Sequence, residues 1–273
     1  MGSHLATLWR YREMVANLVV RDLKVKYKGS VLGFAWSFLN PGIMILLYYL
    51  VFSLFAPGFR AEIPNYGLFL IAGMWPWMTF ASASGKSAPL FILNQDLMRK
   101  VYFPREVLPI SVVLAEFVNF GIGLVLFLIV LALTGTALGP HVLLLIPLTL
   151  ALLSLTLGMA LMVSAADVFY RDVEQILNSC LTILFFASPI VYTLKKVHDV
   201  AEGQELVGLL MPLNPLAWLI PAFRQVFLGR LDYDPFPVPL TTVVMASLGV
   251  ALLFLLIVYV NFKRVEYRIV EEV

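Results

Sequence analysis

The chain has 273 residues, of which 61% are hydrophobic and only 13% are charged, and its formal net charge is +2. Its mean hydropathy is +0.91. Soluble domains carry about 25% charged residues, so this deficit excludes an ordinary water-soluble protein and indicates a surface that faces lipid. The single cysteine, Cys180, excludes an intrachain disulfide and a cysteine-rich metal site. We expect no nucleic-acid partner.

The first predicted element is an amphipathic helix over residues 5–23. It follows Met1-Gly2-Ser3-His4, which is typical of an affinity-tag remnant. One face is apolar and the other is polar, with Leu8, Tyr11, Val15, Leu18 and Val19 opposite Arg10, Glu13, Arg21 and Lys24. Such a basic amphipathic helix suits a membrane interface. We therefore assign residues 1–30 to the remnant and an interface helix, and residues 31–273 to one membrane domain.

Six apolar segments are long enough to span a bilayer, which takes about 20 residues in a helix. Five are free of charge, and the third is interrupted only by Glu116. In chain order they are residues 31–57, 63–85, 107–140, 141–166, 175–194 and 235–262. The predicted fold is thus an all-α membrane protein with six transmembrane helices.

A seventh apolar window, residues 206–223, contains Pro212, Pro215 and Pro221. Proline removes a backbone donor and clashes with the preceding turn of a helix. We therefore predict short re-entrant helices between the fifth and sixth spans.

The lysines and arginines are distributed unequally between the two sides of this six-span arrangement. Fourteen of the nineteen fall on the side of the two termini and of the connection over residues 86–105. Positively charged connections stay in the cytoplasm. The sequence therefore predicts a multi-pass protein of the cytoplasmic (inner) membrane with both termini inside the cell.

No pattern for catalysis or nucleotide binding is convincing. Gly85-Lys86-Ser87 resembles the end of a phosphate-binding loop, but position 80 is Phe80 instead of glycine and a membrane helix precedes it. Asp167, Asp172 and Glu174 are better explained as pairing at a helix end than as catalytic acids. The chain is therefore not predicted to bind ATP by itself or to be an enzyme.

Glu116 is the one ionisable residue well inside a predicted span, and Asn119 lies one helical turn away on the same face. Charges at this depth usually face protein or water. One interpretation is a coupling-proton site. The other is a neutral or paired glutamate that holds helices together or lies near the interface.

Aromatic residues recur inside three predicted spans and make up 13% of the chain. Their rings can stack on sugar rings and present little charge, as a sliding polysaccharide requires; the alternative is a lipid-facing aromatic belt. The candidates for a substrate channel are Tyr48, Tyr49, Phe52, Phe185, Phe186 and Tyr192.

Several strings together resemble the permease subunit of type-2 ABC exporters, in the branch that exports O-antigen polysaccharide or teichoic acid. The resemblance covers nearly the whole chain, and the order of the strings on the six-span map makes it specific. The strings are residues 21–33 (RDLKVKYKGSVLG) with Trp36 and Asn40-Pro41, 99–109 (RKVYFPREVLP), 167–173 (DVFYRDV), 188–192 (SPIVY) and 214–216 (NPL).

This resemblance implies a homodimeric permease bound to two separate ATP-binding cassette ATPase subunits. The ATPases would carry ATP and Mg²⁺, and no cofactor is expected in this chain. The implied substrate is a lipid-linked glycan, usually on undecaprenyl diphosphate. The broken helices after the fifth span would form an outward gate.

The resemblance also assigns residues to two further sites. The loop at Leu32 and Gly33, preceded by Lys24, Lys26 and Lys28, is implied to lie at the entrance for the lipid diphosphate. A basic cluster there suits an anionic lipid, although ordinary topology determination explains it equally well. A coupling segment over residues 94–105 is implied to contact the ATPase through Asp96, Arg99, Lys100 and Arg105.

Three other functions remain as alternatives at this point. A type-2 exporter of a drug, lipid or other small molecule is the nearest. A membrane-embedded glycosyl or phosphoryl transferase would need a cluster of acids, histidines or metal ligands, for which residues 167–174 are the only candidate. A proton-coupled transporter would rest on Glu116 and usually shows internal repeats, which we do not find.

Overall fold

The computed structural model describes residues 9–27, 33–55, 63, 65–135, 139–196, 213–229, 236 and 238–272. Within these ranges the chain forms helices and the turns that join them, and no strand is present. The all-helical class predicted from the composition is therefore confirmed for the described part.

We number the ten α-helices of the described residues in chain order. Two short 3₁₀ turns, Gly33–Ala35 and Pro140–Leu144, precede α2 and α7. The helices are α1 (Arg12–Tyr27), α2 (Trp36–Phe55), α3 (Tyr66–Ser87), α4 (Leu90–Leu93), α5 (Gln95–Lys100), α6 (Val107–Leu133), α7 (Leu145–Phe169), α8 (Val173–Ala187), α9 (Pro215–Leu228) and α10 (Leu240–Glu272).

Four described helices are long and apolar enough to cross a membrane: Trp36–Phe55, Val107–Leu133, His141–Phe169 and Leu240–Ile269. These coincide with four of the six predicted spans. The predicted second span forms the 22-residue helix α3, but its serines and Lys86 make it less apolar. The predicted fifth span is shorter than expected. At 15 residues, α8 is about 22 Å long, against a hydrocarbon core of about 30 Å.

The early end of α8 has a local cause. Ser188 precedes Pro189, and the residue before a proline is disfavoured in the helical conformation. Ser188 accordingly has an extended backbone with ψ of 143°. The prediction that a regular helix continues to residue 194 is therefore wrong, because the chain turns away at this proline.

The helix α3 lies at the centre of the bundle and contacts α2, α6, α7, α8 and α9. Its buried face carries large side chains, among them Phe69, Met74, Trp77 and Phe80. The helix α10 packs along α7, where Gly158 lets the two backbones approach closely; a Cβ at that position would meet the ring of Phe254 at 2.7 Å. Small residues at such crossings are typical of helix packing in membranes.

The helix α2 is the least buried of the four candidate spans. Ser37 is its one buried residue, and none of its most apolar window is buried. Its exposed side chains are large and apolar, including Ile43, Leu47 and Leu54. This face is available to lipid or to another polypeptide.

We call the end of the bundle that holds α1, α4, α5 and the last turns of α10 the basic end. Leu18 of α1 packs there against a cluster that includes Phe91, Met98, Phe103 and Phe262. The predicted apolar face of α1 thus contacts the protein. Arg21 also donates a hydrogen bond of 3.4 Å to the Asn94 side chain between α4 and α5.

An ion network joins α10 to the start of α6 at the basic end. The Lys263 ammonium lies 2.6 Å from Glu106 and 2.8 Å from Glu266. The second oxygen of Glu266 accepts the backbone N–H of Arg105 at 3.0 Å. Because Glu106 is only 2% exposed, its carboxylate depends on Lys263 for a cationic partner.

Lys263→Met should destabilise the protein by about 2–3 kcal/mol, because it leaves the Glu106 carboxylate buried without its partner. Thermal unfolding in detergent measures the change. Arg264→Met is the control, since Arg264 is exposed on the next position of α10, and it should have little effect. The double variant Glu106→Gln/Lys263→Met should recover part of the loss; equal stability of all these variants would contradict the network.

Candidate functional site

Four of the predicted channel residues meet in one aromatic cluster between α2 and α8. The ring centroid of Tyr48 lies 6.4 Å from Phe52 and 5.2 Å from Phe185. Phe185 in turn contacts Phe186 at 5.1 Å. Phe185 is buried whereas Phe186 is 59% exposed. In this cluster the ring of Phe186 is therefore exposed and packs on the buried ring of Phe185.

The other two predicted channel residues lie at the edge of this aromatic cluster. The Tyr192 hydroxyl donates to the backbone carbonyl of Phe186 at 2.6 Å. Tyr49 turns toward Tyr66 instead, with ring centroids 6.2 Å apart. Whether any of the six rings contacts a substrate stays a prediction.

The segment after α8 is held in place by three side chains from elsewhere in the fold. The fully buried Arg224 of α9 donates to the carbonyls of Ile190, Tyr192 and Phe69, the last two at 3.3 Å, and its guanidinium lies 3.5 Å from the Phe69 ring centroid. The Asn214 side chain donates to Ser188 Oγ at 2.8 Å, and Tyr66 donates to the carbonyl of Val191 at 3.1 Å.

This arrangement brings two of the sequence strings together, because Ser188 and Asn214 are in direct contact. Asn214 also caps α9, accepting the backbone N–H of Leu216 at 3.1 Å, and Pro215 follows at the first helical position, where it costs no hydrogen bond. The predicted short helix after the fifth span is present as α9. It is largely buried among α3, α7 and α10.

A polar cavity of about 180 Å³ lies between α2, α3 and α6. Trp75 forms one of its walls and is fixed on several sides. Its indole N–H donates to the carbonyl of Phe120 at 3.3 Å, and its ring lies parallel to Phe38 at 6.2 Å. Gly123 lies directly under the indole, and a Cβ there would overlap the ring.

Two buried polar residues of α6 line the same cavity. Glu116 is bound by the Lys86 ammonium from the end of α3. Asn119 accepts a hydrogen bond from Ser37 of α2 at 3.4 Å, while its buried amide nitrogen has no hydrogen-bond partner among the described residues. Of the two interpretations of Glu116, this ion pair favours a glutamate that holds helices together.

The predicted entrance loop is described only in part. Lys24 is exposed on α1. Gly33 has a φ of +48°, a left-handed conformation that glycine adopts at no steric cost. Lys26, Lys28 and Leu32 lie outside the residues whose side chains the structure describes.

The predicted coupling residues fall into two groups. Asp96, Arg99 and Lys100 are exposed on the short helix α5. Arg105 is buried at 5% exposure, and its guanidinium donates to the carbonyl of Met98 at 3.4 Å. Arg105 therefore supports α5 from within the fold, whereas the other three lie on its surface.

Sequence reasoning missed three of these features. The count of lysines and arginines assigns Arg224, Lys86 and Lys263 only to one side of the membrane or the other, and it predicts no partner for any of them. The available signal was the same for each: a lone cation beside or within an apolar run, which needs a partner in a membrane protein. Among the described residues, no group of histidine, cysteine, aspartate and glutamate side chains could hold a metal ion.

Comparison with known proteins identifies the family. The sequence profile described as ABC-2 type transporter matches residues 14–228, which include α1 to α9 and the polar cavity.

The chain belongs to the ABC-2 type transporter family. Three relatives resemble this ABC-2 family member over most of their length. The O-antigen export system permease protein RfbA of Myxococcus xanthus is 35% identical over 251 residues, covering 90% of this chain and 91% of the relative. The protein of the same name from Klebsiella pneumoniae is 30% identical, covering 95% and 94%. The polysialic acid transport protein KpsM of Escherichia coli is 24% identical, covering 67% and 71%.

Gly123→Ala should destabilise this ABC-2 family member by about 1–3 kcal/mol, because the added methyl group must displace the fixed Trp75 indole. Thermal unfolding in detergent, together with tryptophan fluorescence, measures the effect. Gly121→Ala is the matched control on the same helix, since a Cβ there meets nothing within 4 Å. Equal effects of the two variants would show that Trp75 is not held against Gly123.

Proposed function

We propose that this chain is the permease subunit of an ATP-driven exporter that moves a lipid-linked polysaccharide, O-antigen or teichoic acid, across the cytoplasmic membrane. The observation that carries the proposal is its 35% identity, over 90% of its length, to an O-antigen export system permease. The exposed aromatic cluster between α2 and α8 supports it, because stacked rings give a sugar chain favourable but non-directional contacts.

The energy source in this proposal is a pair of separate ATPase subunits that bind ATP and Mg²⁺. The permease itself acts as a dimer, and the channel lies between the two copies. The nearly unburied α2 supports this arrangement, since its apolar face has no covering element among the described residues. A second copy is one occupant that would bury it.

The membrane arrangement in this proposal has six spans with both termini in the cytoplasm, so the basic end faces the ATPases. The helices α3 and α8 are the two predicted spans that helix length and apolar composition alone do not identify. The distribution of lysine and arginine supports this orientation, since α1, α5 and the last turns of α10 carry nine of the nineteen.

The glycan enters at the basic end in the proposed cycle. The diphosphate of its undecaprenyl carrier approaches the loop at Gly33, beside the lysines of α1. The sugar chain then passes the aromatic cluster, and α9 with the segment after α8 forms the gate on the far side. The supporting observation is that α2 begins directly after the 3₁₀ turn Gly33–Ala35 and carries Tyr48 and Phe52.

The force from the ATPases reaches the spans through α5. Arg105, which supports α5, also contacts a longer helix: its guanidinium donates to Met98 of α5 and its backbone N–H donates to Glu266 of α10. Lys263 then joins Glu266 to Glu106 at the start of α6. Displacement of α5 therefore acts on α6 and α10 together. Tilting of these helices opens the channel.

The double variant Arg99→Glu/Lys100→Glu should lower ATPase copurification and glycan export by on the order of tenfold, because charge reversal on α5 removes complementary contacts at an interface. Affinity purification with the ATPase and surface glycan staining measure the two effects. Arg264→Glu, an exposed change on α10 at the same end, should leave both unchanged. Unaltered assembly and transport in the double variant, and in Arg105→Met, would refute the coupling assignment.

The double variant Tyr48→Ala/Phe52→Ala should reduce export by on the order of tenfold, equivalent to about 1.4 kcal/mol, while the complex still assembles. The physical reason is the loss of two ring faces from the aromatic cluster. Phe55→Ala is the control, since Phe55 is 82% exposed on the same helix and lies outside the cluster. Full export by the double variant would remove the channel-lining assignment.

A further inference from the structure

The polar cavity between α2, α3 and α6 has the size of a small polar molecule. Its volume of about 180 Å³ corresponds to roughly six water molecules at about 30 Å³ each. Trp36 and Asn40, both exposed on α2, lie at its mouth, whereas Glu116 and Asn119 lie at its buried side. The cavity is therefore accessible and ends on polar groups.

Asn119 supplies an observation that points to a ligand. Its side chain is 7% exposed, its oxygen accepts from Ser37, and its amide nitrogen finds no hydrogen-bond partner in the part of the chain that the structure describes. A buried N–H group without an acceptor costs free energy, and nearly all such groups in folded proteins are satisfied. An acceptor supplied by a molecule in the cavity would satisfy it.

The remaining lining defines the chemistry of that molecule. Glu116 offers acceptor oxygens, and Thr79 and Ser82 offer hydroxyl groups. Glu116, the only charged residue in the described lining, is neutralised by Lys86, so this lining offers no net charge to an anion. Trp36 and Trp75 add apolar ring faces. Hydroxyl-binding groups beside aromatic faces suit a neutral pyranose ring, which is polar at its rim and apolar on its faces.

We propose that this cavity is a binding subsite for one sugar ring of the exported glycan, with the Asn119 amide donating to a ring hydroxyl oxygen and Glu116 accepting from a neighbouring hydroxyl. The subsite rests on the proposed function. It goes beyond the aromatic cluster, because directional hydrogen bonds select among sugars whereas stacked rings do not. Ser37, which lines the cavity, is four residues after Gly33. In the proposed path the cavity is therefore the first such contact from the basic end.

Cysteine protection tests occupancy directly. Ser82→Cys in a Cys180→Ser background places the only thiol of the chain in the cavity. The complex with its ATPase is reconstituted in lipid nanodiscs and alkylated with a membrane-permeant maleimide. Undecaprenyl-diphosphate-linked glycan, purified from the strain whose polymer is exported, should slow the alkylation about tenfold at ten times its Kd. Undecaprenyl diphosphate without sugar should not slow it.

Asn119→Leu in the same background tests the proposed donor. Leucine has a similar shape and removes the unsatisfied amide, so the melting temperature should stay the same or rise. The loss of one directional contact should raise the glycan concentration needed for half-maximal protection about tenfold. Asn261→Leu is the matched control, because Asn261 is exposed on α10 and bonds only its own helix at Ile257. It should retain full protection.

The outcomes separate this subsite from the proposed function. If the wild-type complex fails to restore surface glycan in a strain lacking its permease, the proposed function falls and the subsite with it. If the wild type exports but the thiol is not protected, or is not alkylated at all, the cavity is hydrated or closed and the subsite is refuted. Equal protection by the sugar-free lipid would show that the cavity binds the lipid carrier, and it would also refute the sugar subsite. A lower melting temperature with full protection in Asn119→Leu would make Asn119 structural.

Discussion

Hydrocarbon offers no hydrogen bonds, so every polar group that this chain places at membrane depth needs a partner within the protein. Arg224 shows how strongly that constraint acts. Its guanidinium is completely buried, yet it donates to the carbonyls of Ile190 and Tyr192 in the turn after α8, and to that of Phe69 within α3. The charged group and the irregular backbone satisfy each other. The segment after α8 can therefore leave the helix without exposing unpaired carbonyls.

The same constraint explains why rigid and weakly held parts coexist. The basic end is joined by ionic and hydrogen-bonded contacts among α5, α6 and α10, whereas α2 contacts the bundle mainly through α3. Displacing α5 must break or carry along the Lys263 network. Displacing α2 breaks few contacts, since Ser37 is its one buried residue. In the proposed cycle, motion applied at the basic end is thus transmitted through stiff connections and taken up where packing is sparse.

The sequence predicted the helical class and the apolar segments, because each depends on hydrophobicity and spacing along the chain. It failed where an interaction joins distant residues. The Glu116–Lys86 pair spans 30 positions, and Arg224 reaches carbonyls 32 to 155 positions away. The end of α8 at Ala187 was missed for a different reason: hydropathy continues through Ser188-Pro189, but the backbone conformation does not.

One helix connects the two proposed sites, the polar cavity and the aromatic cluster. Ser37, at the polar cavity, and Tyr48, in the aromatic cluster, are 11 residues apart on α2, or about 16 Å along its axis. A single shift of α2 therefore changes both sites together. Because the hydrogen bond from Ser37 to Asn119 is long, at 3.4 Å, its loss would cost little. The contact between Tyr48 and the buried Phe185 is closer and belongs to the core. A tilt of α2 that pivots at the aromatic cluster would therefore open the cavity first.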